Sequence, residues 1–540
     1  MTESRGRPIN VSLRVIADLS QGLYRSPADA LKELVSNSYD ADSPDVRIEF
    51  SSDMDSLTIR DTGKGMTLDE FVETMETIGG TAKRSAGAPE TTPSGRKIIG
   101  RIGIGLLSVS QIATALEVES TVEGSTSGFK ARIEFDQFAS EEARKIKVTD
   151  LWEGKKQIKI GTYSITVTHG VGKQLHFTVL KLSDLKRTIA EKLLASEEKD
   201  GQPRLLGYKI KTADELVKWM YRHQITKTGL HEYDRIFWEL CTLCPVRYMD
   251  RPLRIYHSIG DSSQSEDFQN FVEQINKETH FKVRYDGVEC LKPILMPLPQ
   301  EKTYSIFFNL LFMKGLNGGV VTYRDYDQDE NLVERELHVR GYIYFQRPKI
   351  WPPELRGMIL RVRNVGVGQY DSTFMTYRKH EGFKFSQITG EILVDDLDAA
   401  LNIDRSSFRE TESAYGALRD AIHEYLSRTV FPGIKGYSTD ERTIRRESES
   451  KKVKETLQRR FTQLDSRARK LRFAEEQDSL VHRSGDQLTL ALSLTGQPGR
   501  VSPRFHKIVA FLEAYLSRKL TVQERDELYN ELHDWLSEFE

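Results

Sequence analysis

The stretch from Glu33 to Ala41, which reads Glu-Leu-Val-Ser-Asn-Ser-Tyr-Asp-Ala, constrains this chain more than any other part of its sequence. Apolar residues in and before it recur with helical periodicity, which predicts an amphipathic helix. Glu33 and Asn37 are four residues apart, so they share one face of that helix. A carboxylate can take a proton from water, and an amide oxygen is a hard ligand for phosphate-bound Mg²⁺. We therefore expect Glu33 to be a catalytic base and Asn37 a metal ligand.

A second motif, Asp61-Thr62-Gly63-Lys64-Gly65-Met66, follows an alternating stretch that predicts a short strand. Its glycines lack a Cβ atom, so the backbone can approach a flat ligand closely. We expect Asp61, Gly65 and Met66 to form a pocket for a base ring.

A third motif is the glycine-rich segment Gly100-Arg101-Ile102-Gly103-Ile104-Gly105-Leu106, which precedes a predicted helix. Free backbone N–H groups at a helix start bind anions, and phosphate sites use this arrangement. A glycine run alone is a weak signal, but here it follows two other ligand motifs within one domain length. The expected phosphate-binding residues are Gly100, Gly103, Gly105 and Leu106.

Taken in order, these motifs resemble those of the GHKL ATPases, the superfamily of Hsp90, MutL, MORC proteins, type II topoisomerases and histidine kinases. The resemblance covers an E-x-x-x-N-x-x-D-A box, a D-x-G-x-G-M box and a glycine box, and Gly161-Thr162 is similar to a fourth box. It implies the Bergerat ATP-binding fold, ATP and Mg²⁺ as cofactors, and a nucleotide-binding role for Asp40. It also implies that Asp61 and, through water, Thr162 recognise the exocyclic amine of adenine.

The segments around these boxes are most similar to Hsp90. Tyr24-Arg25-Ser26-Pro27 and the stretch from Ile78 to Ser85 resemble segments that flank the boxes of the chaperone. Leu401-Asn402-Ile403-Asp404-Arg405 is similar to the L-N-I-S-R loop of its middle domain. The resemblance implies that Arg405 reaches the γ-phosphate, a role that suits the shape of a guanidinium group. The spacing between the first two boxes is nearer to that of MutL and MORC proteins.

Residues 79–99 have the composition of a mobile loop, rich in Gly, Ser, Thr, Pro and basic residues. They follow a helix that is predicted to start at the capping box Thr67-Leu68-Asp69-Glu70. Because the segment lies between two ligand motifs, we expect it to be an ATP lid and Lys83 to contact the nucleotide. The other lid cations are Arg84, Arg96 and Lys97.

The predicted fold class is α+β, in three parts. Residues 1–178 are expected to form the ATP-binding α/β sandwich, since strand-like segments alternate there with helical ones. Residues 179–435, in which we include the strand Lys282–Tyr285, resemble the transducer or middle domain of the same proteins. Residues 436–540 are predicted to be helical.

Composition excludes few functions. The chain has 540 residues with 78 basic and 80 acidic side chains, so bulk charge requires no nucleic-acid partner. No apolar run approaches the ~20 residues of a membrane span, and the start has no signal-peptide core. Three cysteines argue for a reducing compartment. We expect a cytoplasmic protein without a membrane partner.

The carboxy-terminal part carries an apolar stripe from Val453 to Leu471 and a helical hairpin after Arg500. A hairpin this small cannot bury its large apolar groups by itself, so it either docks on the preceding helix or forms a homodimer.

Three functions are compatible with these features. The first is an Hsp90-like ATPase that hydrolyses ATP slowly and remodels or senses a protein partner. The second is a MutL- or MORC-like clamp on double-stranded DNA. The third is an ATP-binding switch with negligible turnover.

Overall fold

The structure is a computed structural model that describes much of the chain up to residue 435 and little beyond it. The chain divides into two compact units, Met1–Phe431 and Pro432–Glu540. The described residues are 26–76, 91–100, 105–135, 162–194, 204–250, 263–293, 305–310, 319–378 without 328, 382–435 without 403–404, 481–484, 487–490, and 518–530 without 525, 526 and 529.

Helix α1 spans Pro27–Asp40 and carries the first motif. It starts where its sequence dictates, because the side chain of Ser26 accepts the backbone N–H of Asp29 at 3.2 Å and a proline occupies the first turn. It ends where the N–H of Ala41 donates to the carbonyl of Asn37 at 3.0 Å. Its buried apolar side chains are Ala28, Ala30, Leu31, Leu34 and Val35.

Eight strands form the first sheet. They are β1 (Asp45–Phe50), β2 (Leu57–Asp61), β3 (Ala113–Thr121), β4 (Ser127–Glu134), β5 (Thr162–His169), β6 (Phe177–Leu185), β7 (Lys282–Tyr285) and β8 (Val288–Glu289). Their order across the sheet is β5-β4-β3-β6-β2-β1-β7-β8. The pairs are antiparallel apart from the parallel pair of β1 with β7. The predicted mixed α+β class is confirmed.

The sheet crosses the expected domain boundary between residues 178 and 179. Strand β6 contains both residues and lies between β2 and β3. Lys282–Tyr285, expected in the second domain, instead extends the first sheet beside β1. Periodicity predicts β7 as a strand but predicts neither β6 nor the pairing partners of these two strands, because pairing between distant segments leaves no local signal.

Six further helices are described in the first unit. They are α2 (Leu68–Glu76), α3 (Arg187–Leu193), α4 (Ala213–His223), α5 (Glu232–Leu243), α6 (Ser263–Glu278) and α7 (Ser413–Tyr425). The predicted capping box is present at α2, where Glu70 N–H donates to Thr67 Oγ1 at 3.2 Å and Thr67 N–H donates to Glu70 Oε2 at 2.8 Å. Helix α5, which is buried except at Arg235, packs against α1.

A second sheet has five strands, β9 (Ser305–Asn309), β12 (Arg340–Gln346), β13 (Gly357–Val362), β14 (Val365–Asp371) and β15 (Ile388–Leu393). Its order is β14-β13-β15-β12-β9. A separate hairpin of β10 (Val320–Tyr326) and β11 (Leu332–His338) contacts α7.

Short helices complete the described part of the first unit. A π-helix, Leu426–Val430, continues α7. The 3₁₀ helices are Gly105–Gln111, Lys227–Gly229, Pro353–Leu355, Gly382–Gln387 and Asp395–Ala400. The last of these lies just before the loop that contains Arg405.

In the second unit, Val481–Ser484 and Gln487–Leu490 form the antiparallel strands β16 and β17. These residues were expected to be helical. The sequence between these strands reads Gly485-Asp486, a dipeptide typical of hairpin turns.

Candidate functional site

Helix α1 presents Glu33 and Asn37 on one face, as their spacing predicted. Glu33 is partly exposed and Asn37 is exposed, while the neighbours Leu34 and Val35 are buried. Among the described residues, no group hydrogen-bonds the Glu33 carboxylate. The carboxylate and the amide are therefore available to a ligand above the helix.

The electrostatic environment of Glu33 is mixed. Desolvation by the surrounding protein is the largest influence and raises the pKa of this carboxyl above its usual value. The positive charges of Lys32 and Arg405 act in the opposite direction, and the negative charges of Asp40 and Asp29 add to the rise. A raised pKa suits a group that must accept a proton near neutral pH.

Asp61 ends strand β2 in a buried position, with 4% of its surface exposed. Its Oδ2 accepts a hydrogen bond from Ser38 Oγ at 2.9 Å, and its Oδ1 accepts the N–H of Gly63 at 2.9 Å. Burial raises the pKa of Asp61, and the contacts with Gly63, Ser38 and the backbone of Thr178 offset part of that rise. The carboxylate is thus held in one orientation by three different elements.

Gly63 and Gly65 approach protein backbone closely. A Cβ atom on Gly63 would lie 2.5 Å from the carbonyl oxygen of Ala41, and one on Gly65 would lie 1.9 Å from that of Thr121. Gly65 also has a φ of +74°. The need for glycine at 65 therefore comes from the packing of this turn on strand β3, whereas the sequence had suggested the approach of a ligand.

Asp40 holds the start of the glycine-rich segment. Its Oδ1 accepts the N–H of Ile99 at 2.6 Å and its Oδ2 accepts the N–H of Gly100 at 2.7 Å. Both oxygens of Asp40 thus accept backbone donors and position this segment, and the expected nucleotide contact of Asp40 stays a prediction. Gly100 is tied to α1 by the same contact.

The remainder of the glycine motif is described only in part. Gly105 and Leu106 start the 3₁₀ helix Gly105–Gln111, where an α-helix had been expected, and only their backbone is described. Gly103 and Lys83 lie outside the described residues.

Met66 is placed through its backbone. Its N–H donates to Ser120 Oγ at 2.8 Å, and that hydroxyl donates to the carbonyl of Phe177 at 2.8 Å. These bonds connect the second motif, which also contains Asp61, to strands β3 and β6. The Met66 side chain packs against the core.

Thr162 does not lie near Asp61. It is exposed on β5, the edge strand, which is four positions from β2 in the sheet and so roughly 19 Å away. Thr178 on β6 stands directly opposite Asp61 in the strand register. Thr178 and Ser38 are the neighbours of Asp61 that the sequence argument missed. Thr178 begins an alternating stretch like that after Thr162, and only strand order distinguishes the two.

Arg96 and Lys97, expected to be lid cations, are engaged with other parts of the protein. Arg96 donates to the carbonyls of Ser43 and His280, both at 2.7 Å. Its guanidinium also lies 5.2 Å from the ring centre of Tyr39 and 5.7 Å from that of Phe281. Lys97 Nζ lies 3.2 Å from Asp395 Oδ2. These contacts anchor the carboxy-terminal end of the predicted lid segment.

Arg405 comes from a loop far along the chain, yet its charge acts on Glu33. Its Nη2 lies 3.2 Å from Asp398 Oδ1, and the arginine side chain is 11% exposed. Fold and sequence together therefore bring the expected base and the expected phosphate-binding arginine into one region.

The donor set fits a magnesium nucleotide. Asp61 offers a fixed carboxylate to an exocyclic amine, and Asn37 offers an exposed amide oxygen on the face that carries Glu33. Among the described residues, no group of three or more His, Cys, Asp or Glu side chains could hold a metal by itself. A Mg²⁺ ion at Asn37 would therefore take its other ligands from phosphates and water.

Comparison with known proteins identifies the class of this domain. Residues 24–164 match the family model of the histidine kinase-, DNA gyrase B- and HSP90-like ATPases. This segment is a GHKL-type ATPase domain, and the predicted resemblance is confirmed.

Individual relatives are similar to this chain over a comparable length. A putative type II restriction enzyme HgiDII of Herpetosiphon aurantiacus is 36% identical over 124 residues, which are 23% of this chain and 20% of the relative. The mitochondrial heat shock protein 75 kDa of Bos taurus is 29% identical over 130 residues, 21% of this chain and 18% of the relative. The chaperone protein HtpG of Bacillus subtilis is 28% identical over 137 residues, 22% of each chain. The matched region thus spans about a fifth of these relatives.

Within the part of the chain that the structure describes, no helix combines the length and the apolar character that crossing a membrane requires.

Proposed function

We propose that this protein binds ATP with Mg²⁺, hydrolyses it slowly and converts the nucleotide state into a rearrangement between its ATPase domain and the region that follows. One observation carries the proposal. Glu33 and Asn37 share one face of α1 in the segment that matches the ATPase family, and the positive charge of Arg405 from the second region opposes the rise in the pKa of the Glu33 carboxyl. A base and a phosphate-reaching cation from different parts of the chain are what nucleotide-dependent closure requires.

Each site residue has one task in this proposal. Asp61 accepts a hydrogen bond from the adenine amine, and Asn37 holds Mg²⁺, which would neutralise charge on the phosphate oxygens. Glu33 takes the proton of the attacking water. Arg405 stabilises negative charge on the terminal phosphoryl group as it is transferred.

The expected output is movement. One carboxylate and one arginine provide few catalytic groups, so we expect turnover to be slow. Helix α1, which carries Glu33, is tied to the second region by a bond from Ser26 Oγ to Glu239 Oε2 at 3.0 Å. Lys227 Nζ lies 2.9 Å from the other oxygen of Glu239. A shift of α1 on nucleotide binding would thus be felt beyond the ATPase domain.

Replacement of Glu33 by glutamine tests the enzymatic part. The Glu33→Gln variant keeps the shape of the side chain but removes the base, so ATP hydrolysis should fall by about 100-fold or more. ATP affinity measured by calorimetry should change little. The matched control is Glu49→Gln, at an exposed position of β1. Unchanged turnover in Glu33→Gln would contradict the assignment of the base. No turnover in the unmodified chain, with ATP binding intact, would favour the nucleotide switch.

A DNA-linked ATPase is the second candidate, and the similarity to a putative type II restriction enzyme favours it. In that case double-stranded DNA should stimulate ATP hydrolysis, and the stimulation should fall steeply with salt as counterions compete. ATP-dependent capture of a protein partner without any response to DNA would favour the Hsp90-like function. A cytoplasmic homodimer is the assembly that we propose for either function.

A further inference from the structure

The 3₁₀ helix Asp395–Ala400 carries three carboxylates that contact three different elements. Asp395 Oδ2 pairs with Lys97 at the end of the predicted lid segment, at 3.2 Å. Asp396 Oδ2 accepts the backbone N–H of His338 in the β10–β11 hairpin at 2.7 Å. Asp398 contacts two arginines. This short helix therefore connects the predicted lid segment, the hairpin and the loop of Arg405.

Asp398 is shared between Arg405 and Arg363. Its Oδ1 lies 3.2 Å from Arg405 Nη2, and its Oδ2 lies 3.1 Å from Arg363 Nη2. The side chains are 12%, 11% and 7% exposed, respectively. Water screens such nearly buried charges poorly, so each pair is stronger than an ion pair on the open surface.

The backbone around Arg405 restricts where its side chain can go. Arg405 has a φ of +52°, a conformation that non-glycine residues adopt only when the surrounding structure imposes it. Its N–H donates to the carbonyl of Asn402 at 3.0 Å, and Asn402 N–H donates to the carbonyl of Ser407 at 3.0 Å. A bridge between Leu401 and Phe408 closes the loop. The loop fixes the origin of the side chain, and Asp398 fixes its far end.

We propose that Asp398 is a positioning residue that orients Arg405 toward the terminal phosphate of the nucleotide, with Arg363 holding Asp398 in place. A guanidinium group has five N–H donors, and the contact with Asp398 uses one terminal nitrogen. The remaining donors can engage phosphate while the pair with Asp398 persists. Arg363, on the opposite carboxylate oxygen, keeps Asp398 from rotating. This inference rests on the proposed function, because it assumes that the side chain of Arg405 is directed toward a bound nucleotide.

The test compares two substitutions on the same short helix. Asp398→Asn removes the charge that orients Arg405, and Asp396→Asn makes the same change at a carboxylate that contacts His338 instead. We expect kcat to fall about 10-fold in Asp398→Asn with KM for ATP changed less than about twofold, as for the loss of an orienting partner. Asp396→Asn should keep kcat within about twofold of the unmodified chain.

A double variant distinguishes orientation from a general structural effect. If Asp398 acts through Arg405, adding Asp398→Asn to Arg405→Ala should cause no further loss of kcat, because the group being oriented is already absent. Losses that multiply in the double variant would overturn the proposal. An increase of kcat in Asp398→Asn would also overturn it, since Asp398 would then be restraining Arg405.

The positioning role of Asp398 and the proposed ATPase function can be contradicted separately. Turnover that falls in Arg405→Ala but not in Asp398→Asn contradicts the positioning role and leaves the proposed function standing. An unmodified chain that does not bind ATP contradicts both. Thermal unfolding of the Asp398→Asn chain checks that its fold is intact, and rescue of kcat by Asp398→Glu would support a charge that orients Arg405.

Discussion

Glu33 illustrates how a single residue depends on groups that are distant in sequence. Desolvation raises the pKa of its carboxyl, and Lys32 and Arg405 lower it. One of these cations is the adjacent residue, but the other is 372 positions further along the chain. The reactivity of the proposed base is therefore sensitive to where the loop of Arg405 lies.

The pH dependence of turnover should report this sensitivity. Glu33 must be deprotonated to act as a base, so turnover should decline as pH falls through its raised pKa, above the ordinary value of 4.5. Arg405→Ala removes a positive charge that lowers this pKa, so the acid limb should move to higher pH. Arg405→Lys keeps the charge and should leave the limb nearly in place. The measurement is kcat against pH for the three forms, and coincident acid limbs would contradict the coupling.

Asp61 supports a prediction about binding. The Asp61→Asn variant replaces a carboxylate that accepts from Ser38 and Gly63 with an amide that can accept at only one atom. We expect ATP affinity, measured by calorimetry, to fall by about 10-fold or more, as for loss of a charged hydrogen bond. Asp53→Asn, in an exposed turn, is the control and should bind normally. Equal affinity in both variants would reject the adenine contact.

At the scale of elements, the turn between β2 and α2 depends on close packing against β3. The contact of Gly65 with Thr121 places this turn beside Asp61, and the bond from Met66 N–H to Ser120 fixes the same region. The turn thus packs against the sheet and also forms part of the proposed nucleotide pocket.

Gly65 and Gly124 have similar backbone conformations, so substitutions at these two glycines distinguish the cost of backbone strain from the cost of steric overlap. Gly65 and Gly124 have φ of +74° and +82°, but a Cβ atom on Gly124 would meet nothing within 4 Å. Gly124→Ala should therefore cost only the left-handed conformation, about 1–2 kcal/mol. Gly65→Ala adds an overlap with the Thr121 carbonyl and should cost about 2–5 kcal/mol in all. Denaturant unfolding measures both, and equal losses would show that the turn relaxes at no cost.

At the scale of the whole molecule, the described contacts make residues up to Phe431 one compact unit. Strand β7 pairs with β1, and Arg96 donates to the carbonyl of His280. The ATPase domain and the next region therefore share a sheet and side-chain contacts. Through this sheet and these contacts, a displacement at the proposed nucleotide site can be transmitted to residues beyond the matched family segment.

Assembly of the molecule is predicted from its carboxy-terminal sequence. The helical hairpin expected after Arg500 has more large apolar groups than it can bury alone, so it either docks on the preceding helix or forms a homodimer, and we propose the homodimer. Deletion of the residues after Arg500 should change sedimentation from dimer to monomer while leaving ATP binding intact. An unchanged oligomeric state would place dimerisation elsewhere in the chain or nowhere.

Local rules were sufficient for much of the site. The shared face of Glu33 and Asn37 follows from helical periodicity, and the start of α1 at Ser26 follows from side-chain capping. Asp61 was correctly placed at the end of a strand because alternation of apolar residues reveals a strand directly. Each of these inferences needs only residues within a few positions of one another.

Other assignments depended on which distant segments meet. Thr162 begins β5 and Thr178 is the second residue of β6, and only the order of strands in the sheet puts Thr178 opposite Asp61. The sequence predicts Arg96 as a cation of the lid, whereas the fold brings it to Tyr39 and His280. The physical reason is that pairing free energy between remote segments comes from burial and register across the whole sheet, which local sequence does not encode. Sequence alone determined the elements that carry Glu33, Asn37 and Asp61, and tertiary structure decided which other groups lie beside them.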